Sequence, residues 1–165
     1  MTKTQTQVLA DTLDFTRNIT RFYLSKLKGV DMHQRFEVNG IQLNSAYWVL
    51  CHLVWAENKL VLQSTGGPEI GHEWQQYFSF GSKPESNDNL PDLGEALKAF
   101  KTVHAQTMDH LYRLPDEKLE KPNLTGVSFG LEPTMRTAIM HAIRHEGTHS
   151  GHLGWLCKLH GVETI

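Results

Sequence analysis

The run from Ala46 to Trp55, AYWVLCHLVW, constrains the fold more than any other part of the chain. It is apolar nearly all round, and a helix of that kind needs other helices around it. The run is far too short to cross a bilayer, which takes about 20 residues, and His52 sits inside it. A soluble helical bundle is the expected setting. The rest of the sequence must supply the helices that cover this one.

Three further segments do so. The first runs from Gln7 to Leu27, where Leu9, Leu13, Thr16, Thr20, Tyr23 and Leu27 recur at three- and four-residue spacing and Lys28-Gly29 forms the stop. The apolar run belongs to the second, Ser45 to Gln63, with Asn44 as the expected N-cap and Gly66-Gly67 as the stop. The third spans Leu93 to Leu114, with Leu97, Phe100, His104, Met108 and Leu111 on one face and Pro115 after it. The fourth extends from Pro133, a good first-turn residue, to Leu159, before Gly161. No stretch reads as a strand.

About 28 residues, 64 to 91, separate the second helix from the third. That is too long for a tight hairpin, and a long crossover can lay two successive helices parallel. Its aromatics (Trp74, Tyr77, Phe78, Phe80) suggest that it packs on the bundle, with a short helix near Glu73 to Tyr77. A second short turn is expected around Glu117 to Leu119. One all-α domain, a four-helix bundle over residues 1–165, accounts for the whole chain.

Charge narrows the function. Sixteen Lys and Arg stand against 18 Asp and Glu, a net charge of -2. This argues against a duplex-binding surface, so neither nucleic acid nor membrane is an expected partner, and a small-molecule substrate is. The opening MTKTQTQVLADTLD lacks the apolar core of a signal peptide, which makes the cytoplasm the expected compartment. Cys51 and Cys157 form no CxxC pair and read as core fillers.

Histidine is the departure from blandness. There are ten, and His141, His145, His149 and His152 fall in the fourth helix. At about 100° per residue these four lie within one stripe. Any one alone reads as a surface or hydrogen-bonded residue. The adjacent pair His145 and His149 is different, because i, i+4 spacing lets two imidazoles reach one ion and burying them unpartnered is costly. His52, from another helix, would complete a three-histidine site. His104 also faces a core stripe and reads as a packed polar residue hydrogen-bonded within the bundle. Gly147, Gly151 and Gly154 fall on the opposite face of the fourth helix, which suggests close approach of a neighbouring helix or of a second subunit, hence a homodimer.

Residues 145–149 also spell HEGTH, the HExxH of zinc proteases, with Glu146 as the general base. The extended protease form wants Gly at 152 and His at 155, where this chain has His152 and Trp155. Glu146 therefore reads as a solvated or salt-bridged side chain rather than a base.

Residues 44–58, NSAYWVLCHLVWAEN, and 145–154, HEGTHSGHLG, resemble the second and fourth helices of the DinB/YfiT-like metalloenzymes. FGSKP (80–84) and LPDEKLEKP (114–122) are similar in style. The resemblance implies a bundle of up-down-down-up order and a divalent metal, zinc or nickel, held by His52, His145 and His149. It places His152 where relatives commonly carry glutamine. It further implies a thiol-dependent S-transferase that uses a low-molecular-weight thiol on small electrophiles. Three imidazoles leave a bound ion with open positions, so hydrolysis by metal-bound hydroxide and metal binding without turnover stay open as alternatives.

Overall fold

Each of the four long helices begins at a side chain that accepts a hydrogen bond from its own first turn, as the capping rule requires. In the computed structural model, which describes residues 2–82 and 89–164, these helices are α1 (Gln5–Lys26), α2 (Ala46–Glu57), α3 (Leu93–Arg113) and α4 (Met135–Leu159). Their caps are Thr4, Ser45, Asp92 and Thr134. Two caps differ from the sequence reading. Ser45, not Asn44, takes the Trp48 N–H. Thr134 and Thr137 form a reciprocal box that starts α4, which leaves Pro133 just outside the helix instead of in its first turn. Lys83 and Pro84 of the FGSKP segment lie outside the described residues.

Contacts fix the directions. Along α1, Thr20 meets Ser150 and Tyr23 meets Cys157, so α1 and α4 run parallel. Thr6 meets Leu114 and Asp14 meets His104, so α1 and α3 are antiparallel. Tyr47 reaches Pro91, Glu57 reaches His104 and Thr65 reaches His110, so α2 and α3 are parallel. The order is up-down-down-up, and the chain between α2 and α3 is the crossover that this order demands.

That crossover is held by polar and apolar anchors. Asn58 donates to the Ile70 carbonyl (2.8 Å) and to Gln75 Oε1 (2.9 Å), while Trp74 and Phe78, on a 3₁₀ turn over Glu73–Phe78, are buried in the core. At the other end of the bundle Asp116, in a second 3₁₀ turn, accepts from the Gln5 and Thr6 N–H groups at 2.9 Å each. A carboxylate there answers the positive end of α1.

Two local features escaped the sequence. The first is a π-helical segment, Asn58–Gln63, that continues α2 where regular helix was expected. The second is a two-strand ribbon, β1 (Glu37–Val38) and β2 (Ile41–Gln42), closed by Asn39 and Gly40 with φ of 52° and 78°. Asn-Gly is the residue pair for a turn with positive φ at both central positions, so the signal was present. Both strands are fully exposed and add nothing to the core.

Two apolar clusters stack along the bundle. One gathers Leu50, Val54, Phe78, Phe100 and Leu153, and the other Leu13, Val61, Leu111, Leu119 and Ile139. On α1, α3 and α4 a buried polar residue lies between them in chain position (Arg17, His104 and Glu146), and Glu57 of α2 joins these three. No described helix is long and apolar enough to cross a membrane.

Candidate metal centre

Within α2 only Trp48 and Trp55 escape full burial. The two lie on one face, and His52, one turn from each, stacks against both rings at 4.6 and 5.5 Å between centroids. Opposite it, α4 presents His145 and His149. The Nε2 atoms of His52 and His145 are 3.1 Å apart, and one ring nitrogen from each of His52, His145 and His149 falls within 4.8 Å of the others. Two nitrogens on a tetrahedral zinc at the usual bond length sit about 3.3 Å apart. The His52–His145 pair is already at that spacing, and the donor set fits a divalent ion once the widest pair, within 4.8 Å here, closes in.

Tautomers can be assigned from partners. A carbonyl only accepts, so the 2.6 Å contact between His52 Nδ1 and the Phe78 carbonyl puts the proton on Nδ1 and leaves the Nε2 lone pair for an ion. His149 Nδ1 lies 3.2 Å from His152 Nδ1, which leaves its Nε2 for the cluster. Burial, more than mutual repulsion, holds His145 down to about 3 and His149 to about 2, and lowers His52 as well. All three rings are neutral near pH 7, the form that binds metal.

The other candidates go elsewhere. His141 stacks on Phe129, and its Nδ1 accepts from Arg144 at 2.7 Å. His104 is buried on the far side of the core, where its Nδ1 meets Glu57 (2.8 Å) and its Nε2 meets Asp14 (2.9 Å), as its reading as a packed polar residue required. Glu146 is salt-bridged rather than solvated: 2 % exposed, it accepts from Arg17 at 2.9 Å and from Thr20 at 2.5 Å. It faces away from the imidazoles, which ends the protease reading of HEGTH. Both cysteines are buried and free, and burial pushes the Cys51 thiol up to about 12, so neither is poised as a nucleophile.

Sequence reasoning missed Arg17. Fully buried, it bonds Glu57 at 2.7 Å as well as Glu146, and so ties α1 to the two helices that carry the histidines. Its place between Leu13 and Thr20 on the buried stripe of α1 was a readable sign, since a core-facing arginine requires buried carboxylates. The Phe78 carbonyl had no sequence signal at all.

The imidazoles open into a cavity of about 1490 Å³ with Trp48, Trp55, Phe80, Phe129 and Trp155 in its walls. Arg35 and Lys59 also line it, and among the described residues no Asp or Glu does. The glycines of α4 have a separate explanation. A Cβ on Gly154 would come 3.0 Å from the Tyr23 ring, so close approach of α1 accounts for that position, while Gly151 faces open space.

Comparison with known proteins agrees with the architecture. Residues 12–153 match the family model described as the DinB superfamily. No curated protein matches the chain.

Proposed function

The chain belongs to the DinB superfamily, and on that premise we propose that it is a divalent-metal-dependent transferase that moves a low-molecular-weight thiol onto a small electrophile. His52, His145 and His149 would hold the ion, zinc or nickel. One observation carries the choice of a thiol: the cavity beside the histidines is large and walled by tryptophan and phenylalanine, room for a nucleophile that arrives as part of an organic molecule. Metal-bound hydroxide needs no protein carboxylate, so hydrolysis is the second reading. Glu146, the acidic neighbour of a ligand, is taken up by Arg17 on the other side of α4.

When bound, the ion would act as a Lewis acid that lowers the pKa of a thiol at its open positions. The protein's part is orientation. The Phe78 carbonyl fixes the tautomer of His52, and His152 stands behind His149. Arg17 holds α2 and α4 in register through Glu57 and Glu146. The aromatic walls receive the apolar part of a substrate.

Elemental analysis of protein purified without a metal-affinity tag should find about one divalent ion per chain. His52→Ala, His145→Ala and His149→Ala should each lose most of it and stay helical by circular dichroism. Metal-loaded protein is then offered a panel of thiols and a chromogenic electrophile. Thiol-dependent product supports the transferase. Release without thiol points to a hydrolase, and bound metal with no acceleration to a metal-binding module.

We also infer a homodimer acting in the cytoplasm. Val8, Phe15 and Ile19 are exposed on one face of α1, and Gly151 is open on α4, which supports pairing through those helices. Sedimentation should return twice the 18.8 kDa chain mass, and the single mass would refute it.

A further inference from the structure

Trp48, His52, Trp55 and Lys59 follow one another at helical spacing along α2 and its π-helical continuation, and all four line the cavity. Lys59 is half-buried there. Among the described residues its ammonium has neither an ion-pair nor a hydrogen-bond partner, and no acidic side chain shares the cavity with it. A lysine that lays its stem along an apolar wall keeps its ammonium free to meet an anion, and a divalent ion at the histidines would add a like charge to the same space. The other cationic side chain in the wall, Arg35, donates to the Leu43 carbonyl. Lys59 also lies in the one π-helical stretch of α2, a local irregularity frequent at functional sites.

We infer that Lys59 anchors a carboxylate of the molecule on which the metal centre acts, so that the cavity selects small anions with an apolar or aromatic body. This rests on the site proposed above. Seven residues separate Lys59 from His52, about 10 Å along a helix axis. The anchored carboxylate and the reacting atom are therefore at opposite ends of the substrate, with the tryptophan walls between them. The carboxylate belongs either to the thiol or to the acceptor, and the two sources can be told apart.

The test uses metal-free protein and reads the fluorescence of Trp48, Trp55 and Trp155. Two matched pairs of probes are titrated: 4-phenylbutyrate against 4-phenylbutyramide for the acceptor, and N-acetylcysteine against N-acetylcysteinamide for the thiol. In at least one pair the carboxylate should bind about tenfold more tightly than the amide, the size expected of a charge-assisted bond. Lys59→Met should abolish that preference and Lys59→Arg should keep it, with circular dichroism unchanged in both. The pair in which the preference disappears identifies the molecule that carries the carboxylate. Equal affinities in both pairs, or a preference that survives Lys59→Met, overturns the anchor. A preference that arises only after zinc is added and is the same in Lys59→Met assigns the carboxylate to the ion, which overturns the anchor and leaves the metal reading standing. A Lys59-dependent preference in protein that takes up no zinc supports the anchor and removes the metal.

Discussion

Glu146 lies one residue from His145, about 100° round the same helix, and the two belong to opposite kinds of polar cluster. On the inner side, Glu146, Glu57, Arg17 and His104 pair with one another, while Arg17 Nη1 lacks a hydrogen-bond partner among the described residues. Arg17 has a carboxylate on either hand and lies over the Phe100 ring at 4.0 Å, and both nitrogens of His104 meet carboxylate oxygens. On the outer side, the imidazoles of His52, His145 and His149 converge on one another and on a large cavity. Buried charge is tolerated only when it is answered. The inner cluster spends its polar groups on one another and serves as a clamp. The outer one keeps its lone pairs available, as the proposed metal site requires.

The comparison breaks most easily at Arg17. Arg17→Met removes the guanidinium shared by two buried carboxylates, leaving Glu146 without a counter-charge and Glu57 with His104 alone, and should cost about 3–5 kcal/mol in urea unfolding. By contrast, His149→Ala in metal-free protein should cost about 1 kcal/mol. Replacing all three partners (Arg17→Met, Glu57→Leu, Glu146→Leu) should recover most of the loss. An Arg17→Met protein within 1 kcal/mol of wild type would show that the inner cluster is no clamp.

Acid separates the clusters next. Burial lowers His52, His145 and His149 from the ordinary 6.5, to about 3 and about 2 for the last two. Below 6.5 the unfolded chain takes up protons that these folded rings refuse, so metal-free protein loses stability as pH falls from 6.5. The inner carboxylates respond later. Burial alone would push the Glu57 carboxyl up, but Arg17 and His104 outweigh it and hold it below the ordinary 4.5. Asp14 is likewise lowered, chiefly by the hydrogen bond from His104. Their contribution is full above the unfolded values and is lost as pH falls through the lower folded ones. Urea midpoints at several pH values should show two stages, and the double variant His145→Phe/His149→Phe should flatten most of the upper one, with His52, His110 and His141, also lowered by burial, keeping the remainder. An unchanged slope between pH 6.5 and 4.5 in that variant would refute the assignment.

The outer face of α4 offers the smallest effects. Gly154→Ala pushes a methyl against the Tyr23 ring and should cost about 1 kcal/mol. Gly151→Ala meets nothing within 4 Å of the added carbon and should gain about 0.5–1 kcal/mol from helix propensity. A loss at Gly151 that deepens on dilution would place a second subunit against that face.

Much of this was legible in the chain. Repeats at three- and four-residue spacing, ended by Gly or Pro, set three of the helices, and α2 taken together with its π-helical continuation, to within two residues at each end, because helix geometry turns spacing directly into a face. An apolar run with no polar side had to be enclosed, and α2 is. The pair His145 and His149 needed nothing beyond i, i+4. The length of the crossover signalled two parallel helices. Local chemistry was read less well where two residues competed for one role: Ser45 over Asn44, Thr134 over Pro133, and Asn39-Gly40 as a hairpin turn.

What joins residues distant in sequence was decided only in three dimensions. His52 lies 93 positions from His145, and only the antiparallel packing of α2 on α4 brings their nitrogens to 3.1 Å. The Phe78 carbonyl that sets the tautomer of His52 belongs to a backbone whose course no side-chain pattern encodes. Glu146 could have faced solvent, the ion or the core. Its place was settled by Arg17, 129 residues away, because a buried guanidinium must find carboxylates wherever the fold can bring them. Periodicity specifies which residues share a face of one helix. Which faces meet depends on how four helices bury their apolar surface at once, a property of the assembled bundle and of none of its segments.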